Sequence, residues 1–175
     1  KAIFKLEFEV SIDGDDNSET LKRRNSYVGL QGNWGTIIAG NHDTPLKLSQ
    51  GEIDLFNDLR YADIANIFVG ENRDNDIVMY TTPKFLGNFA ATVGITPGEP
   101  DDSQKDSDNG PADSVSSTVY YSGEQLYAAI AYDSNVNAND IIRATTTYNI
   151  GNWALGAMYQ YAEESKNDEG LGKVI

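Results

Sequence analysis

The sequence predicts an all-β fold of antiparallel strands, because three features of its 175 residues agree. Apolar and polar residues alternate with period two from Ala2 to Asp13 and in eight further runs, whereas helical spacing would mix the two sets. Tight turns rich in Gly, Asn or Pro join many of these runs. Short and long connections alternate along the chain, as consecutive antiparallel strands allow.

Nine strands are predicted in order, at 2–13, 26–32, 35–41, 77–82, 88–95, 115–121, 125–133, 141–148 and 153–163. The short turns are 32–35, 83–88, 122–124 and 149–152, and the long polar links are 13–25, 42–76, 96–114 and 134–140. The link 42–76 stands apart, because it is long and carries enough apolar residues to pack against another surface.

Long connections confined to one end are typical of an antiparallel transmembrane β-barrel, with short periplasmic turns and longer extracellular loops. The longer runs also suit a tilted crossing of the hydrocarbon layer, which takes about 9–11 residues. Lys5, Glu7, Glu9, Arg143, Thr145 and Thr147 would then line a water-filled lumen. Interfacial aromatic girdles would include Tyr27, Trp34, Phe85, Phe89, Tyr120, Tyr121, Trp153 and Tyr161. The alternative is a soluble β-sandwich with ordinary core aromatics.

Composition excludes several classes of function. The formal net charge of −14 argues against a nucleic-acid partner, since phosphate binding needs clustered Lys and Arg. The chain has no Cys for thiolate metal sites or nucleophiles, and His42 has no second His for a metal site or catalytic triad. No phosphate-cradling Gly loop or Gly-x-Ser-x-Gly motif is present. We therefore predict no enzyme, no cofactor and no resident metal.

One acidic loop resembles the start of a calcium-binding loop, with oxygen ligands at Asp13, Asp15 and Asn17. The sixth position is Ser18 instead of Gly and the twelfth is Arg24 instead of Glu, which excludes an EF-hand. Weak calcium binding on an extracellular loop stays open.

The insertion 42–76 is too long for a plain connection, and such loops are usually functional or disordered. Residues 53–59 have roughly helical spacing. Its acids are Asp43, Glu52, Asp54, Asp58, Asp63, Glu71, Asp74 and Asp76, and its basic residues are Lys47, Arg60 and Arg73. We expect it to fold into the lumen and narrow the pore; a lid on the outer surface is the alternative.

Four stretches carry a resemblance to a known family: Arg-Asn-Ser-Tyr-Val-Gly-Leu at 24–30, Trp-Gly-Thr-Ile-Ile-Ala-Gly-Asn-His-Asp-Thr-Pro at 34–45, Gly-Glu-Asn-Arg at 70–73 and Ile-Val-Met-Tyr-Thr-Thr-Pro at 77–83. In this order they resemble general diffusion porins of Gram-negative bacteria. The resemblance implies a trimeric 16-stranded barrel in the bacterial outer membrane, with the third extracellular loop forming the constriction. Residues 1–175 would then belong to one barrel domain and supply its third through eleventh strands. We expect the intact protein to continue in both directions, because open sheet edges are untenable in lipid.

The resemblance also implies wall arginines facing acids of the constriction loop. Arg24 and Arg73 match the family's wall positions, and ordinary loop-end charges are the alternative for both. The loop acids do not align one by one, so Glu52, Asp54, Asp58 and Asp63 are assigned from their places along the loop. The implied partners are two identical subunits, outer-membrane lipid, lipopolysaccharide, ions and small hydrophilic solutes.

We therefore expect a passive channel with weak cation selectivity. A secreted acidic β-sandwich that binds carbohydrate or calcium is the alternative function.

Overall fold

A computed structural model describes residues 1–10, 20–56, 59, 61–98 and 112–165 of the chain. In chain order the elements are β1 (Ala2–Lys5), β2 (Phe8–Val10), β3 (Leu21–Arg23), β4 (Ser26–Gly32), β5 (Gly35–Asp43), α1 (Pro45–Leu48), the 3₁₀ helix η1 (Ile64–Asn66), β6 (Arg73–Thr81), β7 (Phe89–Thr96), β8 (Ser114–Ser122), β9 (Leu126–Val136), β10 (Asn139–Ile150) and β11 (Trp153–Glu164). The all-β prediction is confirmed.

The main sheet has nine strands in the order β1-β4-β5-β6-β7-β8-β9-β10-β11, and each paired neighbour is antiparallel. Apart from the small β2–β3 pair, each strand therefore pairs with the next one along the chain. This meander is the arrangement of a barrel wall. The described residues form one broad sheet and not two packed sheets, which disagrees with the β-sandwich alternative.

The first predicted strand is divided in two. Its alternation continues through Leu6 and Glu7, but β1 ends at Lys5 and β2 begins at Phe8. The backbone N–H of Arg24 donates to the Glu7 carbonyl at 2.8 Å, and β2 then pairs with β3 as a separate two-stranded sheet. The prediction of one continuous strand over 2–13 was wrong, because period two is unaffected by a local break in pairing. Residues 11–19, which hold the calcium-like motif, lie outside the described residues.

The four short turns are confirmed by the strand bounds on either side of them. The predicted long link 134–140 is wrong, because β9 runs to Val136 and β10 begins at Asn139. Only Asn137 and Ala138 connect these strands, with φ angles of 49° and 59°. Positive φ at both central residues is the hairpin geometry that matches the twist of paired strands. Long connections therefore do not alternate with short ones at every position.

One face of the sheet is apolar and exposed, and we call it the outer face. Register places Ile142 on β10 opposite Tyr132 on β9 and Tyr161 on β11, so the apolar residues run across neighbouring strands. Its exposed large side chains include Val28, Leu30, Ile37, Val93, Val119, Ile130, Tyr132, Ile142, Leu155 and Tyr159. An apolar surface spanning many strands is far larger than the patches of soluble monomers and suits contact with lipid.

The opposite face, which we call the inner face, holds the buried residues of the sheet. Ile38, Ile77 and Met79 form one buried cluster. A second cluster joins Ala131 and Ile141 to Leu46 of the insertion. The inner face therefore carries apolar clusters among its polar residues, and the expectation of a uniformly polar lumen face was too simple.

Two of the predicted girdle residues lie on the inner face. Tyr27 packs against the cluster of Ile38, Ile77 and Met79, with its ring centroid 5.3 Å from that of His42. Tyr120 lies on the inner face beside Tyr127. Their assignment to lipid-facing girdles was wrong, because nearness to a strand end does not say to which face a side chain points.

The β9–β10 hairpin gives a test of backbone strain. Ala138 adopts a left-handed φ of 59°, which costs an L-residue other than Gly about 1 kcal/mol. Ala138→Gly should raise the free energy of unfolding by roughly 1 kcal/mol, measured by reversible urea unfolding in lipid vesicles. Ala144→Gly, within the extended part of β10, is the matched control and should lower it by about 0.5–1 kcal/mol. A loss of stability with Ala138→Gly would contradict the hairpin geometry.

Candidate functional site

The insertion spans residues 44–72, since β5 ends at Asp43 and β6 begins at Arg73. Its two ends meet where the Thr44 N–H donates to the Asn72 carbonyl at 3.2 Å. We call this segment the inserted loop. Residues 53–59 have roughly helical spacing, and the described residues there form a turn in which the Leu59 N–H donates to the Phe56 carbonyl at 2.9 Å. The helix of the loop lies earlier, at Pro45–Leu48.

Helix α1 begins where the sequence supplies both a cap and a fixed φ. The Thr44 hydroxyl accepts from the Lys47 N–H at 3.3 Å, and Pro45 occupies the first turn, where no amide donor is needed. With the start of the helix fixed in this way, Leu46 faces the sheet. The Leu46 N–H donates to the Ser116 hydroxyl on β8 at 3.0 Å, and the Leu46 side chain is fully buried against Ile141.

The centre of the contact is Arg143 on β10, which is fully buried on the inner face. Its Nη1 donates to Glu71 Oε1 at 2.7 Å and to the Leu46 carbonyl at 3.4 Å. Its Nη2 donates to the Val69 carbonyl at 2.9 Å. Its Nε donates to Gln160 Oε1 on β11 at 2.8 Å. One guanidinium therefore binds both limbs of the inserted loop and a neighbouring strand.

The Glu71 carboxyl is itself nearly buried, with 9% of its side chain exposed. Burial raises the pKa of Glu71, and the Arg143 guanidinium acts in the opposite direction. Removing one partner of such a buried pair usually costs several kcal/mol, about 3–5, because the other charge is left uncompensated. The position of this limb of the loop thus depends on the pair.

Arg73 lies at the neck of the inserted loop in a network of polar groups. Its Nη2 is 3.1 Å from Asp43 Oδ1, and its Nε donates to Asn25 Oδ1 at 2.9 Å. Asn25 in turn donates to Asp43 at 2.7 Å, and Lys47 pairs with the same carboxylate at 3.0 Å. The predicted wall arginine is therefore partly engaged with an acid at the loop's root.

Arg24 immediately precedes Asn25 and pairs with two acids, Glu7 just before β2 and Glu9 on β2. Its Nη1 is 3.3 Å from Glu9 Oε2 and its Nε is 3.5 Å from Glu7 Oε1. The Lys5 ammonium, bound to Glu7 at 2.6 Å, lowers the pKa of that carboxyl. Arg24 and Arg73 thus belong to one region of mixed charge beside the loop's neck. Their role at a pore wall stays a prediction.

The structure gives the proposed loop acids different surroundings. Asp54 accepts from the N–H groups of Phe56 and Ile64 at 3.0 and 3.2 Å, so it ties two parts of the loop together. Asp63 caps η1 through the Ala65 N–H at 2.7 Å. Glu52 is exposed and borders a polar cavity of about 350 Å³ beside the β8–β9 turn. Asp58 lies outside the described residues.

Sequence reasoning identified Arg143 only as one of several inner-face residues. Its role as the loop's anchor was missed, and so was the pairing with Glu71. A charged residue between Ile141 and Thr145 on one face of the predicted strand was the available signal. The partner of that charge comes from a point 72 residues earlier in the chain, which local patterns do not reveal.

The described residues contain no helix long and apolar enough to cross a membrane. They also contain no group of three or more His or acidic side chains placed to hold a metal ion.

A single meandering antiparallel sheet with a broad apolar outer face, and with a long loop docked on its other face, is the architecture of an outer-membrane barrel wall. The chain belongs to the Gram-negative porin family, whose match extends over residues 1–173. Family membership places the protein in the bacterial outer membrane.

Relatives with curated descriptions agree with this assignment. The chain is 31% identical over 101 residues to the major outer membrane protein P.IB of Neisseria gonorrhoeae, a match covering 55% of this chain and 28% of that protein. The protein of the same name from Neisseria lactamica is also 31% identical, with 29% of its length covered. The matched region thus spans under a third of these relatives.

Two solved structures share the fold. An anion-selective porin from Comamonas acidovorans has a TM-score of 0.64 and 23% identity, with 91% of this chain and 52% of that one covered. A loop-deletion mutant of OmpT, an outer membrane protein of Vibrio cholerae, has a TM-score of 0.61 and 19% identity, with 95% and 57% covered. The chain therefore spans about half the length of these two proteins.

Gly70 tests how tightly the inserted loop is packed. Its φ is 90°, and an added Cβ would lie 2.8 Å from both Leu46 Cδ2 and Ile141 Cδ1. Gly70→Ala should lower the free energy of unfolding in lipid vesicles by about 2–4 kcal/mol, because overpacking adds to backbone strain.

Gly87 is the matched control for Gly70→Ala. It has a similar φ of 88° but no atom within 4 Å of the added Cβ. Gly87→Ala should therefore lower the free energy of unfolding only by the cost of backbone strain at positive φ, roughly 1 kcal/mol. Equal losses in the two variants would refute close packing of Gly70 beneath the loop.

Proposed function

We propose that the chain forms part of the wall of a water-filled channel that passes ions and small hydrophilic solutes, and that the inserted loop narrows it. The observation that carries this is the docking of the described part of the inserted loop, through Leu46 and Glu71, on the face opposite the apolar one. A barrel closed with its outer face toward lipid would place this loop inside the lumen. Passive diffusion needs no catalytic residue and no cofactor.

The family and its relatives support channel function, and the partners follow from the same reasoning. The outer face needs lipid or another protein surface to cover it, so we infer contact with outer-membrane lipid and lipopolysaccharide. We also infer a homotrimer, in which part of this face is covered by identical subunits. The described sheet has its edges at β1 and β11, and lipid cannot satisfy the unpaired backbone groups of an open edge.

We further propose weak cation selectivity. The acids of 42–76 outnumber its Lys and Arg, and low-dielectric walls focus the resulting field within a narrow lumen. Asp43 forms ion pairs with both Arg73 and Lys47. These two cations therefore lie at the root of the inserted loop, away from its more distant acids. The Comamonas acidovorans structure is described as anion-selective, so selectivity depends on each protein's own charges.

The selectivity proposal predicts the effect of neutralising acids of the inserted loop. Asp54→Asn with Asp58→Asn should shift the reversal potential toward zero in planar bilayers under a salt gradient, because less negative charge attracts cations. The unmodified pore should show cation preference that declines near 1 M salt, where the Debye length is about 3 Å.

The control for this experiment is Glu164→Gln, which removes an exposed acid at the end of β11, outside the inserted loop. It should change the reversal potential less than the double variant does. Anion preference in the unmodified pore would contradict the proposed cation selectivity. An unchanged reversal potential in the double variant would show that Asp54 and Asp58 do not lie at the constriction.

A further inference from the structure

One buried acid on the inner face has no cation paired with it among the described residues. Asp133 on β9 is fully buried, and the hydroxyl of its cross-strand neighbour Ser116 is the side-chain donor that acts on its carboxylate. Its cross-strand partners are Ser116 on β8 and Ile141 on β10, both beneath the inserted loop. An unpaired carboxylate in this position is costly, so it favours any cation that can reach it.

The cation placed to reach Asp133 is Arg143. Asp133 pairs with Ile141 in the β9–β10 ladder, and Arg143 follows two residues later on the same face. Diagonal neighbours of this kind have Cα atoms about 7–8 Å apart, which a long side chain spans. The described guanidinium instead points at Glu71 and the carbonyls of Leu46 and Val69.

The surrounding charges leave the two acids in competition for one cation. Asp74 on β6 adds negative charge near Asp133 and is itself bound by the Thr96 hydroxyl at 3.1 Å. Glu71 is influenced by Lys47 and by Asp63 of the inserted loop. Lys47 is paired with Asp43 at the loop's neck.

We propose that Arg143 is the positioning residue of the inserted loop and that Asp133 competes with Glu71 for its guanidinium. When Arg143 binds Glu71, both limbs of the loop are held against β8 and β10. When Arg143 turns to Asp133, Glu71 loses its paired cation, and the Leu46 and Val69 carbonyls keep only their bonds from Ser49 and Gln160. This inference rests on the proposed function only in taking the loop's position to set the width of the pore.

The proposal predicts opposite effects from removing the two acids. Glu71→Gln should increase amide hydrogen exchange of 44–56 and 61–72 by about tenfold, because a buried ion pair loses a partner and Asp133 gains Arg143. Asp133→Asn should slow exchange in the same peptides, because Glu71 then has no competitor. Arg143→Lys should raise exchange, since Lys lacks the planar fork that binds several acceptors at once.

The exchange experiment uses the intact protein in detergent micelles, with two matched controls. Asp74→Asn removes a nearby acid that is not the diagonal neighbour of Arg143. Thr145→Val alters the next inner-face residue of β10, whose hydroxyl has no hydrogen-bond partner among the described residues. Both controls should leave exchange of the loop peptides within about twofold of the unmodified protein. Slower exchange in Asp74→Asn equal to that in Asp133→Asn would overturn the specific competition.

The outcomes separate this proposal from the proposed function. Unchanged or faster exchange in Asp133→Asn overturns the competition, and unchanged exchange in both Glu71→Gln and Arg143→Lys overturns the positioning role. If Arg143→Lys fails to fold, the two acid variants still decide the matter. Open-channel current noise is recorded in parallel: if exchange shifts as expected while current does not, Arg143 keeps its positioning role and the constriction role of the loop fails.

Discussion

The arrangement of this chain depends on the burial of one guanidinium. The Arg143 side chain is fully buried. A buried guanidinium is tolerated only when its N–H groups are hydrogen-bonded to acceptors. Gln160 supplies one acceptor from the sheet, and the inserted loop supplies the rest from both of its limbs. Because these acceptors come from Leu46 and from 69–71, Arg143 holds the loop near its ends, while Asp54 joins Phe56 and Ile64 farther along the loop.

The inner face mixes apolar and polar chemistry beneath the inserted loop. Under Leu46 the sheet presents Ala131 and Ile141, which bury apolar area against the loop as an ordinary core does. The fully buried polar residues Ser116, Asp133 and Arg143 lie on the same face. At the loop's edge, Glu52 of the loop and Thr147 of the sheet border one polar cavity. Polar side chains therefore occupy the inner face both under the loop and at its edge.

Much of the fold was predictable from the sequence. A half-buried strand alternates apolar and polar residues with period two, and Gly, Asn and Pro mark the turns between strands. The β9–β10 hairpin was mistaken for a long link since Asn137-Ala138 lacks the Gly that usually signals positive φ. The break after Lys5 was missed because alternation continues across it. The faces of Tyr27 and Tyr120 required the register, which the sequence alone leaves open.

The candidate site was predictable by residue type but not by pairing. The acids and arginines of the insertion were evident from the sequence. The pairing of Arg73 with Asp43 and of Arg143 with Glu71 depends on contacts between distant segments. This pairing changes the electrostatic argument. Charge summed over the sequence treats every acid alike, but an acid bonded to a cation adds little net field beyond that bond. We therefore expect the field within the proposed lumen to depend on acids away from the loop's anchored root, so that the anchor and the proposed selectivity would involve different residues of one loop.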